Sequence, residues 1–235
     1  MKKGIITQSN YIPWKGYFDS IKNVDVFVVY DDMQFTKRDW RNRNLIKSDQ
    51  GLKWLTIPVE VKGKYFQKIK DTKIAEKDWN LKHLNIIKQN YKNAKCFKDT
   101  KDWLESLYAN CTFNYLTEVN MYFIEEINKF LGINTQIRYS NDFILADDKT
   151  QRLVNICKDL KIIDYYSGPA ASAYMDIEKF NSENISVNYW DYSGYPSYDQ
   201  VHGNFEHGVS IIDLILCEGS ESPNYLIRNY DRKNN

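Results

Sequence analysis

The sequence of 235 residues has little of what metal sites and membrane spans are built from. Its four cysteines, Cys96, Cys111, Cys157 and Cys217, stand far apart, and no CxxC pair or Cys/His spacing typical of a metal site occurs. No apolar run approaches the roughly 18 residues that a membrane span needs, and no apolar signal-peptide core follows the N-terminal residues. We therefore expect buried free thiols, no metal, no membrane span and a cytoplasmic location.

Common catalytic signatures are absent as well. The chain has three histidines, His83, His202 and His207, and no Ser/His/Asp or Cys/His order is recognisable around them. Residues 165–172 form neither a P-loop nor a GxGxxG loop, and Ser167 does not lie in a GxSxG elbow. Functional residues therefore have to be inferred from where polar and aromatic side chains cluster, and the loop around His202 and His207 is one candidate wall of a polar pocket.

The charge is unevenly divided along a chain of ordinary globular composition, with 43% apolar and 15% aromatic residues. Residues 1–138 carry 24 Lys and Arg against 16 Asp and Glu, whereas residues 139–235 carry 8 against 15. A basic half attracts nucleic acid, anionic lipid or a phosphorylated small molecule. A lysine-rich solvated surface explains most of the asymmetry, and a net charge of +1 argues against a dedicated nucleic-acid binder.

Hydrophobic patterns predict an alternation of strands and helices. Strands are predicted at residues 3–7, 25–30, 53–59, 135–139, 162–166 and 186–190. Helices are predicted at residues 14–22, 150–160 and 176–182, with a helical region at about 76–132 that ends at Gly132. A Ser210–Asp213 capping box opens a last helix that Gly219 stops. These elements predict one α/β domain over residues 1–235, with a Rossmann-like, mostly parallel sheet, helices on both faces and an inserted helical segment.

Ligands of open α/β sheets bind beyond the carboxyl ends of the strands, so three loops are candidates. In the first loop we expect Gln8, Asn10 and Tyr11 to face a ligand, while Trp14 anchors the following helix to the core. In the third loop, Ser167 and Gly168 allow backbone N–H groups to approach an anion, a plain turn being the alternative.

The second loop, DDMQFTKRDWRNRN, combines cations with aromatic and amide side chains. Lys37, Arg41 and Arg43 suit the binding of phosphate, and Trp40 offers a face for a base or sugar ring, with Asn44 beside them. The alternative is an exposed basic helix whose Trp40 belongs to the core.

Five segments resemble the WbqC-like protein family: QSNYIPWKGYFD, DVFVVYDDMQFTKRDWRNRN, WLTIPV, SGPAASAYM and YPSYDQ. The resemblance spans Ile5 to about Leu216. The family pattern usually begins Q-P-x-x-x-P, and Ser9 stands here in place of the first proline. Such proteins are typically encoded in bacterial O-antigen (lipopolysaccharide) and related surface-glycan clusters, and some have been proposed to attach an acyl or aminoacyl group to an amino sugar. The resemblance implies a transferase whose substrates are a nucleotide-linked amino sugar and an activated acyl or aminoacyl donor.

Acyl transfer needs a base for the amine proton, and His83 and Asp31 are the candidates. Asp31 is also placed to bind Mg²⁺ or a sugar hydroxyl. The opening strand, loop and helix more weakly resemble the nucleotidyltransferase and pantothenate-synthetase superfamily, with Tyr17 where a histidine is expected after Gly16. A nucleotidyltransferase-like or adenylate-forming enzyme and a non-catalytic module that holds glycan-assembly enzymes together therefore stay open. A homo-oligomer also stays open, and no nucleic-acid partner is expected.

Overall fold

The strands and helices follow the predicted alternation with one additional strand, which forms a hairpin with a predicted one. A computed structural model describes residues 1–226, so the end of the predicted domain, residues 227–235, lies outside it. The strands are β1 (Lys3–Thr7), β2 (Val26–Val29), β3 (Arg43–Ser48), β4 (Gly51–Thr56), β5 (Gln136–Tyr139), β6 (Asp164–Ser167) and β7 (Ser186–Tyr189). The helices are α1 (Lys15–Lys22), α2 (Trp79–Tyr91), α3 (Phe97–Ala109), α4 (Leu116–Leu131), α5 (Lys149–Asp159), α6 (Ile177–Asn181) and α7 (Ile211–Glu218).

Five strands form one sheet in the order β5-β2-β1-β6-β7, and every neighbouring pair is parallel. At its centre Ile5 lies opposite Phe27 on one side and Tyr166 on the other. This sheet confirms the predicted α/β class. The chain runs outward from β1 to β2 and β5, and then returns to place β6 and β7 on the other side. The strand order therefore reverses between β1 and β6, which is where open sheets of this kind form a ligand crevice at their carboxyl edge.

Both faces of the sheet are covered by apolar side chains. On one face Ile5, Phe27 and Val29 join a large core with α1, α2, α3, α4 and α7. On the other face Val26 and Val28 pack with α5 and α6. Burial on two faces explains why β2 reads as an uninterrupted apolar run, the pattern from which the strand was predicted.

The hairpin of β3 and β4 stands outside the main sheet. Its strands pair antiparallel, with Arg43 opposite Thr56, and Gly51 supplies the positive φ of the turn. The strand predicted at 53–59 exists as β4, but it pairs with β3, a strand that the sequence did not predict. Because Arg43 and Asn44 begin β3, the alternative of a basic helix through them is wrong.

Helix ends follow the sequence in one case and depart from it in another. Gly132 ends α4 with a left-handed φ of 68°, as predicted. At the start of α7 the Ser210 hydroxyl accepts from the Ile212 N–H, but the Asp213 carboxylate does not reach back to Ser210. Tyr91 and Tyr198 donate to it instead, at 2.6 and 2.7 Å. The capping-box prediction is therefore wrong for Asp213, whose carboxylate accepts hydrogen bonds from two buried tyrosines.

The cysteines match the expectation of free thiols. Cys111, Cys157 and Cys217 are buried and Cys96 is partly buried, and none of the four is in a disulfide. Within residues 1–226, no helix has the length and apolar character required to cross a membrane.

Candidate functional site

A cavity of about 380 Å³ opens at the carboxyl edge of the sheet. Four chain segments build it: the loop after β1, the loop that joins β2 to β3 together with the start of β3, the segment after β7 and the segment before α7. Its lining residues are Asn10, Pro13, Trp14, Trp40, Asn44, Tyr192, His207 and Gly208. Half of these residues carry aromatic rings, and the polar groups are two amides, one histidine and the Tyr192 hydroxyl, which is a usual composition for a small-molecule site.

A buried carboxylate fixes the loop after β1. Asp31, at the end of β2, accepts hydrogen bonds from the Ser9 N–H at 2.8 Å, the Ser9 hydroxyl at 2.6 Å and the Thr117 hydroxyl at 2.6 Å. Burial raises the pKa of Asp31, and these hydrogen bonds and the charge of Arg41 oppose part of that rise. Ser9 stands where the WbqC-like pattern has proline, which has no N–H to donate to the carboxylate.

The next turn of this loop is strained. Ile12 is fully buried and has a φ of +36°, a conformation that is costly for a β-branched residue. The Asn44 amide donates to the carbonyls of Tyr11 and Ile12 at 3.0 and 2.9 Å, while its oxygen accepts from the Leu45 N–H at 2.8 Å. The Asn44 side chain thus ties the strained turn to β3 through three hydrogen bonds to the backbone.

Arg41 joins the two loops beside the cavity. Its guanidinium donates to the side-chain oxygen of Asn10, and it lies 4.0 Å from the carboxylate of Asp39. The Arg41 carbonyl accepts from the buried Asn120 amide at 2.9 Å. A cation is therefore held at the rim of an aromatic cavity by contacts on both its backbone and its side chain.

The aromatic rings of the cavity wall contact further rings, including Trp54 outside the cavity. Trp14 packs edge-on against Tyr192, with 5.2 Å between the ring centroids. Trp40 lies 5.3 Å from Trp54 of β4, and the Arg43 guanidinium sits 3.9 Å from the centre of the Trp54 ring. Arg43 of β3 therefore stacks on Trp54 across the hairpin.

His207 is the histidine of the cavity wall. Burial lowers its pKa, and the nearby positive charge of Lys15 lowers it further against the opposing effect of Glu206. The buried Lys15 donates to the Pro196 carbonyl at 2.6 Å, and burial lowers its pKa to about 8. The His207 ring packs edge-on against Phe205 at 4.6 Å, and the Lys15 ammonium lies 5.4 Å from the centre of the same Phe205 ring. A histidine kept neutral at pH 7 and exposed to the cavity is suited to accept a proton.

The two bases expected from the sequence lie below this surface. His83 is buried, and its Nδ1 is 2.9 Å from the Tyr11 hydroxyl. Burial lowers the pKa of His83 to about 4. Asp31 is buried with its oxygens engaged by Ser9 and Thr117. Tyr11 is fully buried as well and also contacts the Tyr108 hydroxyl at 2.8 Å, so a ligand in the cavity does not meet it.

The structure brings together part of the predicted binding set. Asn10, Trp40 and Asn44 line the cavity, and Arg41 lies at its rim. The remaining binding residues lie elsewhere: the Gln8 carbonyl accepts from Tyr17, Lys37 lines a separate groove, Arg43 stacks on Trp54, and Ser167 and Gly168 end β6 outside the cavity.

Sequence reasoning missed most of the opposite wall. Tyr192 and Gly208 carried no signal, and Trp14 was assigned to the core because its spacing fits a helix face. His207 was recognised only as part of a loop suited to a polar pocket. The missing information is the approach of residues 192–208 to residues 10–44, which no local pattern reveals.

Comparison with known proteins gives a consistent family. Residues 8–225 match the family described as "WbqC-like protein family". The chain is 48% identical over 226 residues to a protein of Mycobacterium tuberculosis (strain ATCC 25618 / H37Rv) named "Uncharacterized protein Rv1507c", a match that covers 96% of this chain and 98% of that protein. No solved structure matches the chain.

Proposed function

Because the chain belongs to the WbqC-like protein family, we propose that it is a surface-glycan transferase that acts on a nucleotide-linked amino sugar. The reaction is transfer of an acyl or aminoacyl group to the sugar amine. The observation that carries this proposal is the cavity at the carboxyl edge, in which aromatic rings, amides and a neutral histidine meet beside an arginine.

The cavity suits a sugar joined to phosphate. About 380 Å³ falls within the usual range for small-molecule sites and accommodates a monosaccharide. Trp14, Trp40 and Tyr192 offer ring faces, and Asn10 offers an amide to hydroxyl groups. Arg41 has guanidinium N–H groups besides the one that Asn10 accepts, and such groups bind phosphate oxygens in pairs. The sugar would occupy the cavity and the diphosphate its Arg41 rim.

His207 takes the role of general base in this proposal, which replaces His83 and Asp31. The sugar amine attacks the carbonyl carbon of the activated donor, and a C–N bond forms. The bond between that carbon and the leaving group then breaks, and the leaving group departs with the electron pair. The amine proton passes to a ring nitrogen of His207. A base placed in this way contributes roughly 10²–10⁴-fold to the rate.

A pair of histidine variants tests the proposal. His202 lies in the same loop as His207, but its Nε2 contacts the Asn90 carbonyl at 2.8 Å and it does not line the cavity. We expect His207→Gln to bind nucleotide-linked amino sugars normally in calorimetry and to lose at least 100-fold in acyl transfer. His202→Gln should keep both properties. Failure of several nucleotide-linked amino sugars to bind the wild type would refute the proposal.

A separate assay of pyrophosphate release addresses the main alternative. Mg²⁺-dependent release of pyrophosphate from ATP or CTP would favour a nucleotidyltransferase-like or adenylate-forming enzyme. The Tyr17 hydroxyl, which stands in place of the expected histidine, donates to the Gln8 carbonyl at 2.9 Å and gives that alternative no support.

A further inference from the structure

A tight turn after β4 carries two adjacent exposed aromatic rings. The Gln67 N–H donates to the Lys64 carbonyl at 3.2 Å, which makes Tyr65 and Phe66 the central residues of a four-residue turn. Tyr65 is 75% exposed and Phe66 82% exposed. Central turn positions usually carry glycine, proline, asparagine, aspartate or serine. We call residues 64–67 the aromatic turn; its two large rings are exposed and belong to neither hydrophobic core.

The aromatic turn is anchored to the body of the protein. The Tyr65 carbonyl accepts from the Gln34 side chain at 2.9 Å, and the Gln67 carbonyl accepts from the Phe35 N–H at 2.9 Å. The Gln67 side chain donates to the Glu60 carbonyl at 2.7 Å. Hydrogen bonds therefore hold the backbone of the aromatic turn on both sides of the two rings, and the turn is preorganised.

Lysines surround the aromatic turn. Residues 60–73 contain five lysines and two acidic residues, which gives a net charge of +3. Lys64 pairs with Glu60, whereas Lys62 makes no ion pair within residues 1–226. Lys68 and Lys70 both contact the Asp32 carboxylate, at 3.0 and 2.7 Å. Two exposed rings thus project from a surface that is locally cationic.

We infer that the aromatic turn docks this protein on a membrane surface that contains anionic lipids. Aromatic side chains insert at the level of the lipid headgroups, and lysines next to them are attracted to the negative surface charge. A groove of about 640 Å³ between the aromatic turn and residues 34–37, lined by Lys37 and Lys64, is open to a headgroup phosphate. This inference goes beyond the proposed function and does not depend on it.

The shape of the site favours a membrane over single-stranded nucleic acid. Nucleic-acid sites of this kind hold aromatic rings in a basic groove, with ring faces open for successive bases. Here the two rings meet edge to face, at 4.9 Å and 89°, at the tip of a projecting turn. The edge of one ring covers part of the face of the other, which leaves less ring face open to bases. Two exposed aromatic side chains suit the headgroup level of a membrane.

Vesicle co-sedimentation tests the inference with the full chain. We expect binding to phosphatidylcholine vesicles that contain phosphatidylglycerol, little binding to phosphatidylcholine alone, and weaker binding as sodium chloride is raised. The double substitution Tyr65→Ser/Phe66→Ser should reduce binding on the order of tenfold or more. Lys62→Glu should reduce it about thirtyfold, because it changes two charges near the surface.

Tyr174→Ser is the matched control, because Tyr174 is 72% exposed but lies between β6 and α6. It should bind as the wild type does, and circular dichroism should show all variants folded. Sodium phosphate should displace the protein no better than sodium chloride of equal ionic strength. Absence of vesicle binding, equal binding by the double variant, or preferential binding of a single-stranded oligonucleotide through the same residues would overturn the inference.

Discussion

Replacing Asp31 separates a role in holding the cavity loop from a role as catalytic base. The carboxylate accepts from the Ser9 N–H at 2.8 Å and from the Ser9 and Thr117 hydroxyls at 2.6 Å each. Asp31→Ala leaves a buried N–H unpaired, at a cost of about 1–3 kcal/mol, and removes the acceptor of two hydroxyls at roughly 1 kcal/mol each. We expect the free energy of unfolding to fall by about 3–5 kcal/mol, a large part of the stability of a typical domain.

Urea unfolding followed by tryptophan fluorescence measures this loss. Asp31→Asn keeps the shape and one carbonyl acceptor, so we expect it to lose about 1–2 kcal/mol. Thr117→Val removes one of the three bonds and serves as the control, at about 1 kcal/mol. In acyl transfer, Asp31→Asn should keep most of the activity. A stability loss below about 1 kcal/mol for Asp31→Ala, or a 100-fold loss of activity in Asp31→Asn, would refute the loop-holding role.

The pH dependence gives a second readout of the same carboxyl group. Burial raises the pKa of Asp31 above its ordinary value of 3.8, despite the hydrogen bonds from Ser9 and Thr117. The native state then holds this proton more tightly than the unfolded chain. The stabilising contribution is therefore fully present below about pH 3.8 and is lost as the pH rises through the raised pKa. The stability of the wild type relative to Asp31→Asn should fall across that window, and a rise would contradict the assignment.

Three further predictions concern the residues around the cavity. Ser9→Pro removes both the N–H and the hydroxyl that donate to Asp31 and should lower the free energy of unfolding by about 2–4 kcal/mol in urea, whereas Ser9→Ala, which keeps the N–H, should lose about 1 kcal/mol. Asn44→Ala releases the carbonyls of Tyr11 and Ile12 and should cost about 2–4 kcal/mol by the same measurement; an unchanged midpoint would show that the strained turn does not need this amide. Burial lowers the pKa of Lys15 from 10.5 to about 8, so the wild type should gain stability relative to Lys15→Met between pH 8 and about 10.5, whereas a parallel pair of pH curves would contradict a buried, weakened cation.

The parts of the fold that the sequence predicts are those in which local pattern and burial agree. Val26–Val29 is apolar throughout because the strand is covered on both faces, and the same agreement holds for the stripe of α4. The strand β3 escaped prediction because Arg43–Ser48 mixes charged and apolar residues without a clear period. Its partner β4 was recognised as a strand, but pairing is a long-range property that its own residues do not encode.

The candidate site also has a part that the sequence predicts and a part that it does not. Two of the loops predicted from the ends of strands line the cavity, because the carboxyl ends of parallel strands share one edge of the sheet. The rule does not show which side chains point outward: Asn10 lines the cavity, while the neighbouring Tyr11 is fully buried. His207 enters the site through a segment more than 160 residues further along the chain than the loop it faces. Only the tertiary structure brings such distant segments together.

Calorimetric titration of nucleotide-linked amino sugars into wild type and Trp40→Ala tests the central claim most directly. Trp40 lines the cavity and is partly exposed, so its removal should leave the fold intact while taking away a stacking face. We predict saturable binding by the wild type and a loss of about 1–3 kcal/mol of binding free energy in the variant, the range for one stacked ring. Absence of binding, or equal affinity in wild type and Trp40→Ala, would contradict the assignment of this cavity to the sugar nucleotide.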